Sequence, residues 1–124
     1  MLIDEYFQQI EAVIAECPVI VKTDLLKDKR SPSIGFLEGH LYFLDGSSLY
    51  MVEFVNVKTT VDRYKYSYHY QDANLQLIFR YDLAPHHREL ASFPHHKHVG
   101  PNAQESFAPT LEEVLREIEL GFTT

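Results

Sequence analysis

Five histidines fall within thirteen residues of the run Asp82-Leu83-Ala84-Pro85-His86-His87-Arg88-Glu89-Leu90-Ala91-Ser92-Phe93-Pro94-His95-His96-Lys97-His98. Imidazole is the side chain whose ordinary pKa lies nearest neutrality, so two of them can serve one reaction as base and acid. The metal-free reaction that suits such a pair is phosphodiester transesterification. One imidazole takes a proton from a ribose 2′-hydroxyl and another protonates the leaving 5′-oxygen. His86, His87, His95, His96 and His98 are therefore the candidate catalytic residues, with Arg80, Arg88 or Lys97 to offset charge on the phosphorane.

The residues just before this run would bind the substrate. Tyr64, Tyr66, Tyr68 and Tyr70 alternate with Lys65, Ser67, His69 and Gln71, a strand period, up to a turn at Asp72-Ala73-Asn74. The return strand alternates Leu75, Leu77, Phe79 and Tyr81 with Gln76, Ile78, Arg80 and Asp82. His69, Gln71, Arg80 and Asp82 then share one face, provided the register holds, since a one-residue slip exchanges faces. Tyr68, His69, Gln71, Arg80, Asp82 and Lys97 make up the expected binding set, the tyrosines stacking on splayed bases and the cations meeting phosphate. Simpler roles compete with these. Alternating tyrosines are more often a half-buried packing face, and His, Arg or Asp on a hairpin is often a cross-strand pair.

A metal is the weaker reading of the same residues. Imidazole is the commonest nitrogen ligand and Asp82 would complete a mixed site, but the adjacent pairs His86-His87 and His95-His96 do not have the helical His-Glu-x-x-His spacing. No cofactor is expected. There is no glycine-rich phosphate loop, nucleophile elbow or cysteine pair. The lone Cys17 suits a small buried side chain.

The elements that must hold these residues follow from periodicity. Leu2, Ile3, Tyr6, Phe7, Ile10, Val13 and Ile14 have helical spacing over 2–16, ended by Pro18. Strands are expected over 19–26, 34–44 and 49–58, with a charged loop at Lys27-Asp28-Lys29-Arg30 and a hairpin loop at Asp45-Gly46-Ser47-Ser48. After the tyrosine hairpin, 84–109 carries prolines and no regular period, and reads as a long loop. Thr110-Leu111-Glu112-Glu113 is a capping box that starts a closing helix, stopped at Gly121. The order predicts a single α+β domain over 1–124. A mainly antiparallel sheet of about five strands would be flanked by N- and C-terminal helices packed on one face.

Composition sets the company this domain keeps. At 124 residues, 45% hydrophobic and 23% charged, it suits one globular core. No run approaches the roughly 20 apolar residues of a membrane span and Asp4 and Glu5 follow Met1, so a cytoplasmic protein is expected. The net charge of −7 is uneven. Residues 1–57 carry four basic and nine acidic side chains, 58–100 six basic and four acidic, and 101–124 one basic and five acidic. A polyanion such as RNA would meet the middle segment, which also holds six of the seven histidines.

The string Tyr66-Ser67-Tyr68-His69-Tyr70-Gln71-Asp72, then Phe79-Arg80-Tyr81-Asp82, Ala84-Pro85-His86-His87 and Phe93-Pro94-His95-His96-Lys97-His98, resembles the TumE family over about residues 64–120. Leu83 stands where that pattern more often has Asn. The resemblance implies the toxin of a toxin–antitoxin pair, neutralised by a helix-turn-helix antitoxin encoded beside it. RNA cleavage by the histidines is the activity expected from the residues. Its alternatives are a non-catalytic interaction module, docking through the tyrosine face and acidic last helix, and a metal-dependent hydrolase. The sequence also admits a homo-oligomer.

Overall fold

The structure is a computed structural model and describes residues 1–83, 95–99, 102–105 and 108–122, apart from the side chains of His96 and of 102–105. Helix α1 (Ile3–Ala15) and helix α2 (Leu111–Leu120) flank the strands β1 (Ile20–Lys29), β2 (Ile34–Phe43), β3 (Ser48–Asn56), β4 (Asp62–Gln71), β5 (Leu77–Leu83), β6 (His95–Val99) and β7 (Asn102–Glu105). The strands pair antiparallel with their sequence neighbours in one seven-stranded meander. The α+β class with terminal helices is as the sequence predicts.

Each helix forms for a legible reason. In α1, Ile3, Tyr6, Phe7, Ile10 and Ile14 are buried, one stripe of a 3.6-residue period. Asp4 and Glu5 occupy its first turn, where carboxylates oppose the positive end of the dipole. In α2, the Thr110 hydroxyl accepts from the Glu113 N–H at 3.2 Å and the Glu113 carboxylate accepts from the Thr110 N–H at 3.1 Å, the expected capping box. Its stripe of Leu111, Val114, Leu115 and Ile118 is buried. Both stripes join one core with Leu37, Leu41, Leu49, Met51 and Val55 from the same face of the sheet.

Three boundaries differ from expectation. Lys27-Asp28-Lys29 belongs to β1, since its backbone pairs with Leu37, Phe36 and Gly35 and two of its side chains reach α1: Lys27 meets Glu11 at 3.1 Å and Lys29 meets Asp4 at 2.9 Å. The return strand of the tyrosine hairpin starts at Leu77, because Leu75 has φ +64° and belongs to the turn. The segment expected to be a loop supplies β6 and β7, which bring the sheet to seven strands. Their polar side chains hide the strand period that backbone pairing imposes.

Gly35 sets how closely α1 lies on the sheet. A Cβ there would stand 2.6 Å from Ile3 Cγ1 and 2.7 Å from Phe7 Cζ. Ile3 is fully buried, so neither side can retreat. Gly35→Ala is expected to cost about 1–3 kcal/mol of stability, read as a lowered denaturation midpoint.

Candidate active site

The histidine region and the tyrosine hairpin meet in β4, β5 and β6, and the register decides which residues come together. His69 lies opposite Arg80, and Arg80 opposite His98. Tyr50 of β3 is the other neighbour of His69, and His40 of β2 that of Tyr50. One row of side chains thus crosses the sheet face turned away from the helices. One residue pair along, Ser67 lies opposite Asp82, and Asp82 opposite the backbone of His96.

Asp82 ties the site together. Its carboxylate accepts from Arg80 Nε at 3.1 Å and stands 3.5 Å from His98 Nε2. Asp82 is 9% exposed. The Nε of Arg80 is engaged with Asp82, so its Nη groups are the ones an anion would meet. A hollow of about 420 Å³ adjoins the site, lined by Tyr50, Val52, Lys65, Ser67, Arg80 and Asp82, and also by Leu83. Lys65 and Arg80 make it cationic.

His69 is poised as a neutral base. Burial lowers its pKa first and the charge of Arg80 second, while a hydrogen bond with Gln71 opposes them. A depressed histidine binds fewer protons folded than unfolded, so its contribution to stability falls as pH drops below the ordinary value of about 6.5. His69→Gln is expected to shrink the loss of melting temperature between about pH 7.5 and about pH 5, measured against the parent protein.

The expected set does not stay in one place. His95 and Lys97 point to the helix side of the sheet, opposite to Arg80 and His98, because neighbours in a strand alternate faces. Lys97 forms an ion pair with Glu117 of α2 at 3.0 Å and lies 4.8 Å from the ring centroid of Tyr81. It is a packing cation, and Lys65 takes its expected place beside the hollow. His95 Nδ1 is 2.9 Å from the Tyr66 hydroxyl, with burial and then the charge of Arg63 lowering its pKa. Gln71 lies beyond a bulge and donates to Ser48 Oγ at 3.2 Å, about 13 Å along β4 from the level of Asp82. His86 and His87 lie outside the described residues, as does the side chain of His96.

Base stacking on the tyrosines is corrected most firmly. Tyr66 and Tyr68 are 1% and 0% exposed, and Tyr70 is buried too. Only Tyr64 of the four is exposed. Inward alternation places the other three under the helices, so they are core, and they are not a docking face either.

One polar group went unrecognised in the sequence. Glu53 is 1% exposed and accepts hydrogen bonds from the Tyr6 and Tyr68 hydroxyls. Burial pushes its carboxyl above the usual range, against those two bonds and the charge of Arg63. Arg63 also donates to the Tyr68 hydroxyl at 2.9 Å and to the carbonyls of Pro109 and Ala108, and lies 4.5 Å over the Tyr66 ring. The signal was present: Glu53 interrupts the apolar run Tyr50-Met51-Val52-Glu53-Phe54-Val55 at an inward position.

Among the described residues, no three His, Cys, Asp or Glu side chains are grouped as a metal centre requires, and no helix is long and apolar enough to cross a membrane. No curated protein and no solved structure gives a significant match to the chain. The family described as Toxin TumE matches residues 10–120, which extends the likeness of the histidine region back through the first three strands and into the second half of α1. The chain belongs to the TumE family of toxins, and a toxin of this kind implies an antitoxin partner.

Proposed function

We propose that this toxin cleaves RNA without a metal, on the outer face of β4, β5 and β6. The observation that carries the reading is the row His69–Arg80–His98, a cation between two imidazoles, braced by Asp82. The outer strands of the three are about 10 Å apart, with Arg80 on the strand between the two imidazoles.

His69, held neutral, takes the proton of the ribose 2′-hydroxyl as its oxygen attacks phosphorus. His98, 3.5 Å from the Asp82 carboxylate, gives a proton to the departing 5′-oxygen. The Arg80 Nη groups and Lys65 offset the charge gained by the phosphorane oxygens. The products are a 2′,3′-cyclic phosphate and a 5′-hydroxyl. Leu83, cross-strand from His95, packs against the core and borders the hollow at its edge.

The proposed setting is the cytoplasm, where a helix-turn-helix antitoxin encoded beside the toxin holds it in check. Expression without that antitoxin should arrest growth and deplete RNA, and the purified protein should cut RNA in excess chelator. Growth arrest with RNA left intact, with and without divalent metal, would exclude the reading.

A further inference from the structure

We infer that the groove between α1 and α2 receives a basic amphipathic helix of the antitoxin, so that the partner docks on the helix layer and not on the histidine face. This placement rests on the antitoxin that the toxin family implies; it does not depend on RNA cleavage.

Two hollows between the helices share Val13 and Glu112 and so form one groove, with volumes of about 240 and 140 Å³. The floor of the larger hollow is mainly apolar, with Ile10, Val13 and Leu111 beside the inward Glu53 and Arg63, and the smaller hollow is mainly polar, with Leu115 and Arg116 among its acidic side chains. The rim is acidic, with Glu16, Glu112 and Glu119. Among the described residues only Glu112 of these three has a cationic partner, Arg116 at 3.3 Å. The exposed Val61 stands at the mouth of the larger hollow.

Charge selects the occupant. Helix α1 holds three carboxylates and no cation, and α2 holds four carboxylates and one arginine, a net −6 over the two helices. A nucleic acid would be repelled. A second copy, with eleven basic against eighteen acidic side chains, is itself acidic and is repelled as a whole. A helix with lysines or arginines flanking an apolar stripe satisfies both floor and rim, the usual mode of helix-in-groove recognition. Acidic rims of this kind act mainly on association rate and partner choice.

The test uses the full-length toxin and the product of the adjacent gene. The double variant Glu16→Lys, Glu119→Lys changes two groove side chains outside the buried core, and a thermal melt checks that it folds. It is expected to arrest growth as the parent does, to escape neutralisation, and to bind the partner at least tenfold more weakly with a flatter salt dependence. His98→Ala is expected to bind the partner unchanged, which separates this surface from the proposed catalytic one. Unchanged affinity of the double variant, or no binding by the parent toxin, would overturn the inference. Self-association of the parent that the double variant abolishes would overturn it too, since the occupant would then be a second copy.

Discussion

Alanine at His69 or His98 is expected to lower RNA cleavage by about 10²–10⁴-fold, the range set by losing a positioned proton donor or acceptor. The two should not behave alike with pH. Burial and then Arg80 lower the pKa of His69, which suits it to the base role, so its alanine variant should lose the acid limb of the pH–rate profile. His98 is the proposed proton donor, so its variant should lose the alkaline limb. Asp82→Asn keeps the shape and removes the charge that braces both Arg80 and His98. A fall in cleavage for Asp82→Asn with the alkaline limb kept but displaced, where His98→Ala loses it, would identify Asp82 as a positioning residue acting through His98. A melting temperature near that of the parent is expected of His69→Ala, on the sheet face away from the core, whereas Asp82→Asn and His98→Ala break a largely buried pair and are compared at a temperature where a thermal melt shows them folded.

Arg63→Ala is expected to cost about 1–3 kcal/mol of stability, the usual penalty for leaving buried hydrogen-bond acceptors unmet. The charge of the guanidinium acts on the Glu53 carboxylate, and it satisfies the carbonyls of Ala108 and Pro109 just before α2 begins. Its loss leaves Glu53 with two phenol donors in an apolar surround and frees the entry to α2. Glu53→Gln keeps an acceptor for one tyrosine and should cost less, about 1 kcal/mol. Denaturant titration of the two variants reads both effects. A change for Arg63→Ala within about 0.5 kcal/mol would place the group among ordinary surface residues.

Periodicity made the helices, β2, β3 and the tyrosine hairpin legible, because each has one apolar face and the side-chain period reports it. The same rule misplaced β6. His95, His96, Lys97 and His98 carry no apolar member, so their alternation is visible only once Arg80 and Asp82 pair with them. That alternation also divides the histidines, sending His95 and Lys97 toward α2 and leaving His98 with Arg80. Clustering in sequence suggested one site of five, yet a strand cannot present neighbours to one face.

The substrate set shows the complementary limit. His69, Arg80 and Asp82 were legible as a shared face, since the turn preserved their register despite the bulge at Tyr70 and Gln71. Tyr68 was misjudged because a tyrosine on a strand reads alike whether its ring stacks on a base or packs beneath a helix. The inward burial of Tyr66, Tyr68 and Tyr70 is set by α1 and α2, which lie far away in sequence. Glu53 and Arg63, ten residues apart on adjacent strands, were missed for the same reason: their meeting depends on the β3–β4 register and on Tyr6.

The central claim is that the histidine face performs metal-free transesterification, and the chemistry of the cut ends tests it most directly. RNA incubated with purified toxin in excess chelator should yield 2′,3′-cyclic phosphate and 5′-hydroxyl termini, and His98→Ala should yield almost none. Termini bearing a 5′-phosphate, or cleavage that His69→Ala and His98→Ala leave unchanged, would contradict the account.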